Sequence, residues 1–141
     1  MIPFPDSCIR GIPNEDFIIR ENAVASHLFN FKDEHYRKGW LEQSINWNDE
    51  EQAIDFTLNQ LKNGVIKYKY GVAIVSRFKL DDLNRTLAIQ GSLLYERNAL
   101  EDNKYHGNIL LNASVPKPLR RMVASGIALA VEAIIKRKGI L

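Results

Sequence analysis

Two stretches of the chain alternate in side-chain character with a period of two, the pattern of half-buried strands, several others are β-prone runs, and two more show helical spacing. "WLEQSINW" (40–47) sets Leu41, Gln43, Ile45 and Trp47 on one face and Glu42, Ser44 and Asn46 on the other. "DFIIRENAVASHLFNF" (16–31) supplies a strand-like run whose second half alternates His27, Phe29 and Phe31 with Ser26, Leu28 and Asn30. "VIKYKYGVAIVSRF" (65–78), "TLAIQGSLLYE" (86–96) and "HGNILLNAS" (106–114) extend the β-prone series, with Gly71 read as a bulge.

The first helical stretch spans 49–63. Asn48 or Asp49 can cap it, Glu50 and Glu51 suit its positive first turn, Ile54, Leu58 and Leu61 give it a buried stripe, and Gly64 stops it. The second spans 117–136 and is apolar over most of its circumference. Ile127, Val131 and Ile134 lie on one side, and the small residues Gly126, Ala130 and Ala133 on another, where a sheet or a second copy can approach closely. "KLDDLNR" (79–85) is at most a short helix or turn, and "KDEHYRKG" (32–39) a charged connection. Pro3, Pro5, Gly11 and Pro13 mark residues 1–16 as an irregular arm. Consecutive strands with short polar connections favour antiparallel pairing. The expected architecture is α+β: one domain over 1–141, with a mostly antiparallel sheet of about five strands packed by two main helices, 49–63 and 117–136.

A chain of 141 residues that is 45% hydrophobic can build one real core. Its net charge of +2 is too small for a dedicated nucleic-acid binder, but the distribution is uneven. From Pro116 onward Lys117, Arg120, Arg121, Lys136, Arg137 and Lys138 face a single acid, Glu132, so the preceding part is net acidic. The lone Cys8 excludes an internal disulfide and a cysteine-based metal cluster. The start "MIPFPDSC" lacks the basic and apolar regions of a secretory signal. The apolar segment Val123–Ile135 is short of the ~20 residues of a membrane span. These features point to a cytoplasmic protein with no membrane partner.

Chemistry-bearing residues are sparse. His106 has a titration range suited to proton transfer, and Gly107 beside it could admit a ligand to the backbone. No short motif supplies an orienting acid, so a hydrogen-bonded, half-exposed histidine at a strand entry is the simpler account. His27 sits among apolar neighbours and reads as a core or rim histidine. His35 with Asp33 and Glu34 lacks metal-ligand spacing, and neither metal nor cofactor is expected. Gly91-Ser92 lacks the nucleophile elbow, the two common phosphate-cradling glycine motifs are absent, and Cys8 reads as a filler. Trp47 and Asn46 could stack on and read a base, though Trp47 closing the core explains the same residues.

The most pointed feature is "KPLRR". A helix start carries the positive end of the dipole and favours acids, yet Lys117, Arg120 and Arg121 stand there, and an external anion would turn that mismatch favourable. Lys136, Arg137 and Lys138 form a second basic patch that suits a helix end. If the helix returned antiparallel to the last strand, Lys136 and Arg137 would approach His106.

The sequence therefore suggests a small non-catalytic binding module. It engages an anionic partner, such as nucleic acid, a phosphorylated ligand or an acidic protein surface, through its basic C-terminal helix. Two alternatives stand beside it: a nucleotide- or nucleic-acid-processing enzyme using His106 as acid or base, and a subunit that assembles, with copies of itself included, through the apolar C-terminal helix.

Overall fold

The computed structural model describes residues 3–31, 38–86 and 89–137. Its centre is a six-stranded sheet in which every neighbouring pair is antiparallel. The strands of that sheet are β1 (Ser7–Gly11), β4 (Trp40–Trp47), β7 (Val72–Ser76), β8 (Leu93–Arg97), β9 (His106–Asn112) and β10 (Val131–Ile135). Two small hairpins supply β2 (Ile18–Arg20) with β3 (Ala23–Val24), and β5 (Leu61–Lys62) with β6 (Val65–Ile66). The helices are α1 (Gln52–Leu58), α2 (Arg77–Asn84) and α3 (Lys117–Leu129). The main sheet runs in the order β10-β7-β1-β4-β9-β8. The class is α+β, as the pattern of strands and helices implies.

The main core lies on one face. Leu41, Ile45 and Trp47 of β4 and Ile109 and Leu111 of β9 meet Val123, Ala124 and Ile127 of α3, Leu80 of α2 and Phe29 of a 3-10 turn, Ser26–Phe29. A smaller cluster covers part of the other face, where Ile9, Val72 and Ile74 pack on Ala53 of α1 and on Tyr105. Aliphatic burial of this kind contributes roughly 25 cal/mol per Å² and is the main force holding α1 and α3 to the sheet.

Five elements differ from the sequence-based expectation. Ser7–Gly11, inside the expected irregular arm, is strand β1, placed between β4 and β7. Its "SCIRG" alternates well enough, but prolines on both sides mask it. The stretch 16–31 is the β2–β3 hairpin followed by the 3-10 turn, which buries Leu28 and Phe29 together and so breaks the expected alternation.

The helix expected over 49–63 is shorter, because its charged leader is used elsewhere: Asp49 pairs with Arg97 at 2.8 Å and Glu50 with Lys104 at 3.3 Å. Beyond it, Asn63 and Gly64 both adopt positive φ and close the β5–β6 hairpin, the backbone a two-residue Asn-Gly turn requires. The helix expected over 117–136 ends at Leu129, and Val131–Ile135 pairs with β7. Val131, Ile134 and Ile135 are β-branched, and the ladder along β7 satisfies their backbone groups while their stiff side chains fit a pleated edge. Lastly, "RFKLDDLN" forms a full helix, α2, whose cap Ser76 accepts from the Lys79 N–H at 3.3 Å.

Candidate ligand cleft

A cleft of about 230 Å³ opens on the α1 face of the sheet. Its floor forms where β1 and β4 part: the two strands pair only at Cys8↔Trp47 and Ile9↔Asn46. Beyond that point Gly11 and Ser44 line an opening. Thr57 and Gln60 at the end of α1 make one wall, the turn 100–103 with His106 another, and Lys67 and Tyr68 a third.

Asn46 organises the polar side of this cleft. It is buried, and its Nδ2 donates to Thr57 Oγ1 at 2.8 Å and to Gln60 Oε1 at 2.9 Å, while its Oδ1 accepts from Asn103 Nδ2 at 2.8 Å. Thr57 in turn donates to the Ala53 carbonyl at 2.8 Å, and Asn103 Oδ1 accepts from the Tyr105 N–H at 3.0 Å. Donor and acceptor roles are thus fixed along the chain of groups, which orients the carboxamides rigidly. Residues of β4, α1 and the 100–105 loop are brought together by this network, and the Trp47 N–H to the Tyr105 carbonyl at 2.7 Å ties the loop to the sheet.

His106 pairs with Asn46 across β4 and β9, and its Nδ1 lies 2.8 Å from the Asn98 carbonyl. A carbonyl only accepts, so Nδ1 carries the proton, and in the neutral ring Nε2 is left as the acceptor. The ring is therefore oriented by a backbone oxygen. Asp102 lines the same cleft, and among the described residues no hydrogen bond joins it to His106. Leu61 and Leu100, 60% and 46% exposed, form an apolar rim.

A second, more open depression of about 460 Å³ shares Asp102 and Asn103 and lies against Asp55, Phe56 and Tyr105. Tyr105 sends its hydroxyl to Glu50 at 2.9 Å; burial, then that bond, raises its pKa.

The other residues singled out from the sequence fall elsewhere. Arg120 donates from Nε to the Val115 carbonyl at 2.7 Å and from a terminal nitrogen to the Ala113 carbonyl at 2.9 Å, fastening the β9–α3 connection. Lys117 and Arg121 are exposed on the first turns of α3. His106 and these residues stand at opposite ends of β9 and share no site. Lys136 and Arg137 follow β10, four strand spacings from β9, or about 19 Å at ~4.8 Å each, so they do not approach His106. The expectation of a shared neighbourhood failed because the helix stops at Leu129 and the chain returns along the far edge of the sheet. Lys138, and Asp33, Glu34 and His35, lie outside the described residues.

Trp47 is fully buried between Phe4 and Tyr95, with ring centroids 4.8 and 5.9 Å away, so it offers no surface for stacking on a ligand. Cys8 is also inaccessible, and burial pushes its thiol up to about 12. His27 is exposed, its ring 4.6 Å from that of Phe17. The small side of α3 meets α2: a Cβ on Gly126 would fall 2.7 Å from Leu83.

Among the described residues, no group of three or more His, Cys, Asp or Glu could hold a metal ion, and no helix is long and apolar enough to cross a membrane. No protein-family model, curated protein or solved structure matches this chain.

Proposed function

We propose that this protein is a ligand-binding domain that takes a small polar molecule into the cleft between β1, β4 and α1. One observation carries the proposal: the Asn46 network fixes a set of polar groups on the wall of an opening rather than inside a closed core. A buried carboxamide chain is costly unless fully satisfied, and this one is built from three separate segments beside a rim of exposed leucines. The Gln60 amide nitrogen, the Asp102 carboxylate and Nε2 of His106 add recognition groups around it. A volume of about 230 Å³ is below the ~300 Å³ lower end for drug-sized ligands and suits a molecule the size of a nucleobase or an amino acid.

The test is a panel of uncharged nucleosides, amino acids and small sugars followed by ¹H–¹⁵N NMR of the full chain. Saturable shifts at Asn46, Asn103 and His106, weakened in Gln60→Ala, support the proposal. A panel that leaves all three unmoved, or moves them equally in Gln60→Ala, removes it.

A second reading keeps the anionic partner at the start of α3. It is supported by a first turn that has no acid and no side-chain cap, with Arg121 exposed beside it. Binding to a short single-stranded nucleic acid that weakens as salt rises, and again in Arg121→Ala, would favour it. Binding indifferent to both would count against it.

A further inference from the structure

The loop that joins β8 to β9 braces itself. The Asn98 N–H donates to the His106 carbonyl at 2.9 Å, Leu100 and Asn103 exchange backbone bonds at 2.9 and 3.1 Å, and the His106 N–H reaches the Asn103 carbonyl at 3.4 Å. The bond from His106 Nδ1 to the Asn98 carbonyl and those of the Asn103 carboxamide to Asn46 and to the Tyr105 N–H complete the set. A loop tied in this way holds its side chains in position before a ligand arrives, which lowers the ordering cost of binding.

Two acceptors on this wall are left over. Asp102 lines the cleft, and among the described residues its carboxylate makes no hydrogen bond or ion pair. His106 lines it too, and with Nδ1 donating to Asn98 the neutral ring keeps Nε2 as an acceptor that no described residue fills.

Asn46 gives the cleft a direction. It accepts from Asn103 on the loop side and donates to Gln60 on the α1 side. Gln60 Oε1 is spent on that bond, so its carboxamide offers a ligand only N–H donors. Lys67, whose backbone N–H donates to the Gln60 carbonyl at 2.9 Å, stands on the same side. Donors therefore face acceptors across Asn46. The field on the loop side has the matching sign: the neighbouring depression shares Asp102 and adds Asp55 and Glu101, while the lysine that lines it, Lys104, is held by Glu50 at 3.3 Å.

We infer that the molecule bound in this cleft carries a cationic N–H group, an ammonium or amidinium, and that this group seats against the Asp102 carboxylate and Nε2 of His106. The inference rests on the cleft being a ligand site, as proposed above, and gives that site a polarity: cationic donor end toward the 98–106 loop, acceptor end toward Gln60. A hydrogen-bond donor fits this wall better than a bare metal ion, because no described group of three or more His, Cys, Asp or Glu could hold one.

The experiment titrates the full chain at constant ionic strength with three small probes. Acetamidinium carries both charge and N–H donors, acetamide is its neutral counterpart, and tetramethylammonium is a cation without donors. The observables are the His106 imidazole ¹⁵N resonances and the Asp102 and Asn103 amides. Saturable shifts, with Nε2 moving as an acceptor does, are expected for acetamidinium alone. Binding should be about fivefold weaker in Asp102→Asn, on the scale of one exposed charge pair. Asp102 is exposed and its side chain bonds nothing among the described residues, so this variant keeps the fold. The inference is overturned if acetamidinium gives no saturable shift, if either control matches it, or if Asp102→Asn binds it equally. Uncharged molecules that saturate at Asn46 and Asn103 while acetamidinium fails would leave the cleft standing and remove only its preference for a cation.

Discussion

The indole of Trp47 passes over Gly107 and donates its Nε1–H to the Glu96 carbonyl at 2.9 Å, so a side chain on β4 reaches across β9 to the backbone of β8. The crossing exists because residue 107 has no Cβ: one built there would lie 2.2 Å from the indole nitrogen and 2.4 Å from the Glu96 oxygen. From the sequence, Gly107 was a place where a ligand could approach the backbone. The room is taken by Trp47.

Gly107→Ala should therefore destabilise the fold by about 2–4 kcal/mol, since overpacking and loss of a buried hydrogen bond act together. Urea unfolding followed by tryptophan fluorescence checks this. A midpoint within error of the unmodified protein would contradict the crossing.

Asn46→Leu should cost about 2–4 kcal/mol, because it leaves Asn103 Nδ2 and Gln60 Oε1 without their partners in a partly dry site. Asn46→Asp should be nearly as damaging, since a carboxylate cannot donate to either Thr57 or Gln60. Thermal unfolding of both variants beside Thr57→Ser, which keeps the hydroxyl, separates polar pairing from volume.

Arg120 and Arg121 should behave differently although they are neighbours. Arg120→Ala should lower stability by about 1–3 kcal/mol through its bonds to the 113 and 115 carbonyls, whereas Arg121→Ala should stay within ~0.5 kcal/mol. Comparing denaturant midpoints is sufficient, and equal losses would refute the distinction.

Stability should fall on the alkaline side. The Cys8 thiol, ordinarily near 9.0, is raised by burial to about 12 in the fold, and Tyr95 is raised by burial and by its 2.6 Å bond to Asp81. Folded-state values above the unfolded ones mean the native chain holds these protons longer. The contribution is whole below about pH 9, shrinks as the unfolded thiol ionises, and is gone once pH passes the folded values. Urea midpoints measured from pH 7 to pH 11 should decline above pH 9, and less steeply in Cys8→Ala. The native thiol should also resist a thiol reagent at pH 8 and react on unfolding.

β4, through its period-two pattern, and β7, β8 and β9, as β-prone apolar runs, were legible, and with them the α+β class. Periodicity failed where a short element takes its structure from its neighbours. Ser7–Gly11 becomes a strand because β4 and β7 flank it, and Val131–Ile135 because β7 offers a free edge. The Asn63-Gly64 turn carried a usable local signal, but beside a helical stripe it was read as a helix stop. The cleft was beyond local patterns, since Asn46, Thr57, Gln60 and Asn103 meet only through tertiary folding. The one hint was Asn46 itself, an amide ending a strand, in line with Ser44 and Glu42 on the face away from the main core.

The short junction between β1 and β4 has a mechanical consequence. Along the seam itself, two residue pairs, the bonds from the Asn48 N–H to the Ser7 carbonyl and from Asn48 Nδ2 to Ser7 Oγ, and the Arg10 stitch to Ser44 join one half of the sheet, β10-β7-β1, to the other, β4-β9-β8. Amide protons along that seam are expected to exchange with solvent sooner than those deep within either half. A molecule lodged in the cleft where β1 and β4 part would act as a rivet, slowing that exchange without moving any strand.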